Sequence, residues 1–323
     1  MIPSLEYLER CSAETGYQIS PLEKVIRLGA MAGDIARHPF LRTALALKGG
    51  TALNLCFGPP KRLSVDLDFN YIRHTDRQRM LQDRPAVEEA LVQLALRHGY
   101  HVQQSAETFA GRKLYLNYRS ALGQAERIEV DVNYLFRLSI AGTAWRSLWQ
   151  PGALDRPHIR VVSLTELLIG KLLAFFDRGA ARDLWDVAHF PASAAAILGS
   201  RCFRRRFVAL SALLPHPLPT YSRDRLGHLV SAGFLYEHLT PMLVAGSLPE
   251  IGRLIEKAWA VAGRFVTLEA NEIAYVTAIE QGAFFIGLLF ENDPNEAHRL
   301  ARHPAILWKV ANVRAHLTRQ DRT

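Results

Sequence analysis

Two aspartates that alternate with apolar residues are the first feature of the sequence that indicates chemistry. From Leu63 to Asn70, apolar and polar residues alternate, which predicts a strand with Asp66 and Asp68 on the same side. Strands disfavour aspartate, and neighbouring carboxylates repel each other, so a divalent cation such as Mg²⁺ or Mn²⁺ is the simplest compensation. The alternative interpretation is the solvated face of an amphipathic strand.

A later stretch of the chain repeats this design. Between Ile128 and Tyr134, apolar residues alternate with Glu129, Asp131 and Asn133. Placed beside the first strand, this stretch supplies a third carboxylate, which we assign to Asp131, with Glu129 as the alternative. Three carboxylates on one face of a sheet can hold two metal ions, which would clamp the attacking and leaving oxygens of a phosphoryl transfer.

A glycine pair upstream of both strands is suited to binding phosphate. Gly49 and Gly50 lie between a predicted short strand and a predicted helix that starts at Thr51. In that position backbone N–H groups and the helix dipole can face an anion. The spacing is not that of a Walker A motif. Glycine turns of this kind are also common in proteins where they bind nothing. The prediction of phosphate binding therefore depends on the order of the motifs, which is the glycine pair, a helix, and then the strand with two aspartates.

The elements around these motifs predict an α+β protein. Strands and helices alternate over residues 1–158, which predicts a domain with a mixed sheet flanked by helices. Residues 159–323 read as a mostly helical domain, and the linker is predicted near 151–157. The predicted helices of the first domain are 22–36, 51–57 and 77–97, and its predicted strands are 44–47, 63–70, 101–104, 112–119 and 127–135.

A lysine on the apolar side of a helix is the unusual feature of the second domain. The sequence Ser163–Glu166 has the form of a capping box, which predicts the start of this helix. Lys171 falls within its apolar stripe, where a charge is costly unless it is paired or used, or unless it snorkels to the surface. Asp183 and Asp186 follow at a spacing that puts both on one face of the next helix, and ordinary helix-start carboxylates are the alternative.

These motifs together resemble a known family. The segments Lys48–Leu53 and Arg62–Phe69 resemble the nucleotidyltransferase superfamily (DNA polymerase β-like) and, within it, the AbiEii branch of toxins from toxin–antitoxin systems, to which the MenT toxins are related. Lys171 and the segment Arg182–Asp186 resemble the downstream lysine and the R-D-x-x-D element of that branch. The resemblance covers about residues 44–190.

The resemblance implies a metal-dependent enzyme that transfers a nucleoside monophosphate from a nucleoside triphosphate and releases pyrophosphate. Lys171 would contact the nucleotide phosphates, and Asp183 would position Lys171 or the base. Lys48 and Arg62 are equally well explained as solvated surface charges. The implied site comprises catalytic Asp66, Asp68, Lys171 and Asp183, nucleotide-binding Lys48, Gly49, Gly50, Thr51, Arg62 and Ser64, and metal-binding Asp66, Asp68 and Asp131.

Composition restricts the partners and the compartment. The chain has 323 residues and a formal net charge of +8, which favours polyanionic partners. Its three cysteines are isolated, so neither a disulfide framework nor a cysteine zinc site is expected. No signal peptide and no apolar stretch long enough for a bilayer is recognisable, so we expect a soluble, cytoplasmic protein with no membrane partner.

The acceptor is the least constrained part of the prediction. Basic residues cluster at Arg201–Arg206, at Arg223 and Arg225, and again between Arg299 and Arg322, and such clusters neutralise RNA phosphates or simply form solvated helix faces. Because members of the resembled group modify the acceptor end of tRNA, we expect the helical domain to bind RNA, with the tRNA 3′ end as acceptor and translation blocked as a result. A cognate antitoxin is a further expected partner. The alternatives are a protein or small-molecule hydroxyl as acceptor, and a non-catalytic nucleotide-binding module.

Overall fold

A computed structural model describes residues 3–225, 235 and 237–320 of the chain. The chain divides into two compact units. Unit 1 comprises Met1–Leu167 and Gly233–Leu248, and unit 2 comprises Leu168–Ala232 and Pro249–Thr323. The predicted boundary after residue 158 falls inside a strand of unit 1, and the division between the units falls inside a helix, Leu164–Arg178.

Unit 1 is built on a mixed sheet. Its seven strands have the order β3-β4-β5-β2-β1-β7-β6, in which β2·β5 and β1·β7 are parallel and the other pairs antiparallel. The elements in chain order are α1 (Leu5–Thr15), α2 (Ile19–Arg37), α3 (Leu41–Ala44), β1 (Leu45–Lys48), α4 (Gly49–Cys56), β2 (Leu67–Tyr71), α5 (Arg77–Arg97), β3 (His101–Gln104), β4 (Gly111–Arg119), β5 (Ala125–Asn133), β6 (Thr143–Ser147), β7 (His158–Val162) and the start of α6 (Leu164–Arg178).

Strands β4 and β5 show why the sheet has an apolar and a polar side. Successive side chains of a strand point to opposite faces. Leu114 and Leu116 of β4 and Ile128 and Val130 of β5 are buried, whereas the residues between them are exposed or partly exposed. The apolar side therefore belongs to the core of unit 1, and the polar side is where charged residues collect.

The structure corrects the predicted strand Leu63–Asn70. Strand β2 begins only at Leu67, and the segment before it is not extended in the sheet. The backbone N–H of Leu63 donates to the carbonyl of Met242, and the Thr51 hydroxyl donates to the carbonyl of Asp66. Because these backbone groups are bound by other segments, they cannot form a strand ladder, and Asp66 lies just outside the strand that carries Asp68.

All regular elements in the described residues of unit 2 are helices, in agreement with the mostly helical second domain expected from the sequence. Its helices are the rest of α6, α7 (Ala181–Ala188), α8 (Ala194–Gly199), α9 (Arg201–Ser211), α10 (Ile251–Ala262), α11 (Ala270–Glu280), α12 (Pro294–Ala301) and α13 (Pro304–Gln320). Aromatic side chains fill its core, with Phe176 against Phe175 and Phe207, and Phe265 against Phe203 and Phe207. No helix in the described part of the chain combines the length and apolarity needed to span a bilayer.

Candidate active site

The strand register brings four charged residues of unit 1 into one row. Lys48 of β1 is paired with Asp68 of β2, Asp68 with Asp131 of β5, and Asp131 with Lys113 of β4. Directly paired residues project from the same side of a sheet and lie close together. The row therefore consists of two adjacent carboxylates with one lysine at each end.

Asp131, the second carboxylate of this pair, is harder to ionise than a solvent-exposed aspartate, chiefly because of its burial. Burial raises the pKa of Asp131; Lys48 opposes this effect and Asp68 adds to it, and the net shift is upward. Glu129 lies on the same side of β5 but is bound by Lys113 and Arg127, at 3.3 Å in each case. Of the two carboxylates that the sequence left open, Asp131 is the one that the register puts beside Asp68.

The acidic residues of the site fit a cation that substrate helps to hold. Among the described residues, no three histidine, cysteine, aspartate or glutamate side chains form a group that could hold a metal ion. Asp66 lies just before β2, so strand pairing does not place it in the row of Asp68 and Asp131, and its part in a metal site stays a prediction. The adjacent pair Asp68 and Asp131 matches the way Mg²⁺ is commonly bound, by one or two protein carboxylates together with substrate phosphates.

The glycine pair stands directly against the first carboxylate. Gly49 has φ +73°, and a Cβ atom there would lie 2.4 Å from Oδ2 of Asp68. A Cβ atom at Gly50 would lie 2.8 Å from both Nη2 of Arg62 and Oγ of Ser64. Glycine is thus required by the backbone at position 49 and by close packing at both positions. Helix α4 starts at Gly49, so the first turn of the helix, with its unpaired backbone N–H groups, lies beside Asp68.

Two polar residues hold the turn from the segment that precedes β2. The hydroxyl groups of Thr51 and Ser64 are hydrogen-bonded to each other at 3.0 Å. Arg62 is only 1% exposed, and its Nη1 donates to the carbonyl of Leu63 at 2.8 Å. The interpretation of Arg62 as a solvated surface charge is therefore wrong. Its burial against Gly50 indicates that Arg62, Ser64 and Thr51 fix the shape of the turn.

A partly buried carboxylate at the start of α6, Glu166, extends the polar site by one sheet row. Glu166 accepts hydrogen bonds from the Ser139 hydroxyl at 2.8 Å, the Ile140 N–H at 3.1 Å and the Asn70 amide at 3.3 Å. Burial raises the pKa of Glu166 to about 7, although these three donors lower it. Only half of the predicted capping box is formed, since Oγ of Ser163 accepts from the Glu166 N–H while the Glu166 side chain binds elsewhere.

In unit 2, Lys171 is neither exposed nor unpaired. Its Nζ lies 3.0 Å from Oδ1 of Asp183 and 2.7 Å from Oδ2 of Asp186, and Asp183 also binds Nε of Arg178 at 2.7 Å. Burial alone would raise the pKa of Asp183, but the charges of Lys171 and Arg178 outweigh it and lower the pKa. The lysine on the apolar stripe is thus buried and paired with two aspartates of α7, and the snorkelling alternative is wrong.

The basic cluster of α9 is largely bound inside unit 2. Arg204 forms an ion pair with Glu272 at 2.6 Å, and Arg206 forms one with Glu296 at 2.7 Å. Exposed Arg201 is 3.9 Å from Glu269. These arginines therefore connect helices of unit 2, and they contribute less to a free positive surface than the sequence indicates. Arg322, in the C-terminal basic stretch, lies outside the described residues.

Sequence reasoning missed three residues around the carboxylate pair. Lys113 lies in the row of Asp68 and Asp131, Asn70 lies two residues along β2 from Asp68, and Glu166 had been assigned only to a helix cap. The polar alternation of β4 could have drawn attention to Lys113. Its place beside Asp131 depends on the strand register, which the sequence does not give.

A glycine turn at a helix start beside a carboxylate pair of a mixed sheet is the arrangement of a nucleotidyltransferase. Residues 33–226 match the family described as "Nucleotidyl transferase AbiEii toxin, Type IV TA system". The chain belongs to this family of nucleotidyltransferase toxins of toxin–antitoxin systems, which confirms the resemblance seen in the sequence.

Solved structures support the same fold. MenT4, a nucleotidyltransferase toxin from Mycobacterium tuberculosis H37Rv, superposes with a TM-score of 0.61 at 17% sequence identity. The match covers 91% of this chain and 97% of MenT4. No curated protein sequence matches the chain. The α+β architecture predicted from the sequence is confirmed.

Proposed function

We propose that this toxin transfers a nucleoside monophosphate from a nucleoside triphosphate to an RNA acceptor, the 3′ end of tRNA, and thereby blocks translation. The observation that carries the proposal is the pair Asp68 and Asp131, which adjoins the Gly49–Gly50 turn. A tRNA whose 3′ end is blocked cannot be aminoacylated, which accounts for toxicity.

The carboxylate pair would hold Mg²⁺ or Mn²⁺, and Asp66, just before β2, is proposed as a further metal-binding and catalytic carboxylate. Such a cation, when bound, lowers the negative charge that the attacking and leaving oxygens share in phosphoryl transfer. In the reaction, an acceptor hydroxyl oxygen forms a bond to the α-phosphorus, its proton is released, and the bond to the bridging oxygen of pyrophosphate breaks.

The remaining residues would bind and orient the triphosphate. Gly49 lies against Asp68, and Lys48 is paired with Asp68 in the same row. Thr51, Arg62 and Ser64 would act by holding this turn in shape. Lys171 is assigned to the phosphates by resemblance, and the two aspartates that bind it support a role for Asp183 as the residue that positions Lys171.

A transfer assay tests this function. Purified protein is incubated with Mg²⁺, total tRNA and each α-³²P-labelled nucleoside triphosphate in turn, alongside Asp68→Asn and an Asp155→Asn control. Asp155 is an exposed aspartate of unit 1, so its variant makes the same chemical change outside the site. Label on the tRNA 3′ end with wild type and Asp155→Asn, and none with Asp68→Asn, is the expected result.

The other acceptors appear as other outcomes. Label on protein, or on a small hydroxyl compound but not on RNA, would contradict the RNA acceptor and leave the nucleotidyltransfer chemistry intact. Nucleotide binding without turnover on any acceptor would support a non-catalytic module. A cognate antitoxin, which the family implies, is expected to abolish the label when it is added in equimolar amount.

A further inference from the structure

The polar side of the β3–β4–β5 sheet edge is open and combines aromatic with basic residues. Gln103 of β3, Tyr115 of β4 and Glu129 of β5 form one row on this side, and Asn117 and Arg127 lie in the next. All of them are exposed or partly exposed, whereas the opposite side of the same strands is buried. This polar side also carries Lys113 and Asp131, so the open surface runs directly into the carboxylate pair.

A stacked pair of side chains stands at the centre of this surface. The guanidinium carbon of Arg127 lies 5.1 Å from the centroid of the Tyr115 ring. Arg127 and Lys113 each approach Glu129 at 3.3 Å, with exposed side-chain fractions of 58% and 46%. These ion pairs are longer than the 2.7–2.9 Å typical of strong charge-assisted hydrogen bonds, so a phosphate can compete for both cations.

The position of the glycine turn determines which substrate can use this surface. The turn contacts Asp68 at the end of β1, so the triphosphate and the departing pyrophosphate belong on the β1 side of the row. The attacking and leaving oxygens lie roughly in line in phosphoryl transfer. The acceptor hydroxyl must therefore approach from the other side, which is the side of β5 and β4.

We propose that the open face of β4 and β5 binds the unpaired end of the acceptor RNA, with Tyr115 and Arg127 stacking on its bases and Lys113 binding a phosphate. This inference rests on the proposed function. Arg127 lies four residues from Asp131 along β5, about 13 Å, which is the span of a few unpaired nucleotides. Aromatic rings and guanidinium planes are the surfaces on which unpaired bases stack, and flanking cations bind the backbone.

The binding experiment uses the full-length protein and a short fluorescein-labelled single-stranded RNA, with fluorescence anisotropy as the readout. Tyr115→Leu keeps apolar bulk but removes the ring, and it should weaken binding about tenfold. Arg127→Ala removes the second stacking plane and should also weaken binding. Tyr115→Phe keeps the ring and should bind like wild type. Binding of a fluorescent nucleoside triphosphate should be unchanged in all three.

Arg160→Ala is the matched control, because Arg160 also lies over an aromatic ring, that of Trp145, at 5.5 Å. Its RNA affinity should equal that of wild type. Wild-type affinity in Tyr115→Leu and Arg127→Ala would overturn the inference, and so would an equal loss in Tyr115→Phe. If one of these results is obtained and the wild-type protein still labels tRNA, the proposed docking surface is wrong but the proposed function stands. If wild type neither binds nor labels RNA, the proposed acceptor is wrong, and the docking surface is wrong with it.

Discussion

Replacing Glu166 by glutamine tests whether a partly buried carboxylate beside the site makes the free energy of unfolding depend on pH. The pKa of Glu166 rises from its ordinary value of 4.5 to about 7. Because the folded-state value is above the unfolded one, proton uptake favours the folded state. The stabilisation is complete below pH 4.5 and is lost as the pH rises through about 7. Linkage gives a loss of about 2 kcal/mol between pH 5.5 and 8.5.

Glutamine can keep the hydrogen bonds of this residue. Its carbonyl oxygen would accept from Ser139 and Ile140, and its amide would donate to Oδ1 of Asn70 once the Asn70 amide turns over. That oxygen is buried and has no hydrogen-bond partner among the described residues. The variant should therefore fold and should lack the pH-dependent loss.

The assay is urea unfolding of wild type and Glu166→Gln between pH 5.5 and 8.5, with Glu126→Gln as control. Lys24 and Ser20 bind Glu126, and its pKa is lowered: burial opposes this shift, but these partners outweigh it. Its carboxylate therefore stays ionised over this range, and its variant should differ from wild type by a constant amount. If the curves of wild type and Glu166→Gln ran parallel across the range, the reasoning about Glu166 would be refuted.

Three further changes probe the site. Gly49→Ala should abolish transfer and lower the free energy of unfolding by about 1–3 kcal/mol, because φ at this position is positive and the new Cβ would meet Asp68. Gly170 has open space around it, so Gly170→Ala is the control and should not destabilise the protein. Transfer activity and urea unfolding are measured for both variants. Lys171→Met should lower the free energy of unfolding by about 3 kcal/mol, because two buried aspartates of α7 lose the cation that pairs with them. Urea unfolding identical to that of wild type would contradict this account of the ion pairs. Asp131→Asn should abolish transfer. It should also raise the melting temperature at pH 8 without divalent metal, because burial and the neighbouring Asp68 raise the pKa of the Asp131 carboxyl. An unchanged or lower melting temperature would argue against repulsion between Asp68 and Asp131.

Long elements with strong local signals were predictable from the sequence. Helix α5 was predicted over Arg77–Arg97, and the structure has these bounds, with Asp76 accepting from the Arg79 N–H at its start. Strands β6 and β7 were not predicted. Every residue of β6 is exposed, so no alternation marks it. Strand β7 pairs with β6 and with β1, and β1 comes from a distant part of the chain.

The site was predictable in its residue types but not in its arrangement. The glycine pair and the two aspartates were visible as local patterns. A register shift of two residues between β2 and β5 would have put Glu129 in place of Asp131 beside Asp68 without changing which side chains face the core. The departure of Asp66 from the strand depends on a hydrogen bond from Thr51, a contact that no local pattern predicts.

The parallel pairing of β2 with β5 has a consequence for when the toxin becomes active. Residues Leu67–Tyr71 and Ala125–Asn133 are separated in the chain by α5 and the β3–β4 hairpin, and such non-local pairing is slow. A chain emerging from the ribosome thus has no carboxylate pair until β5 has been synthesised and docked. The gain of activity during refolding can therefore come no earlier than the docking of β5 beside β2.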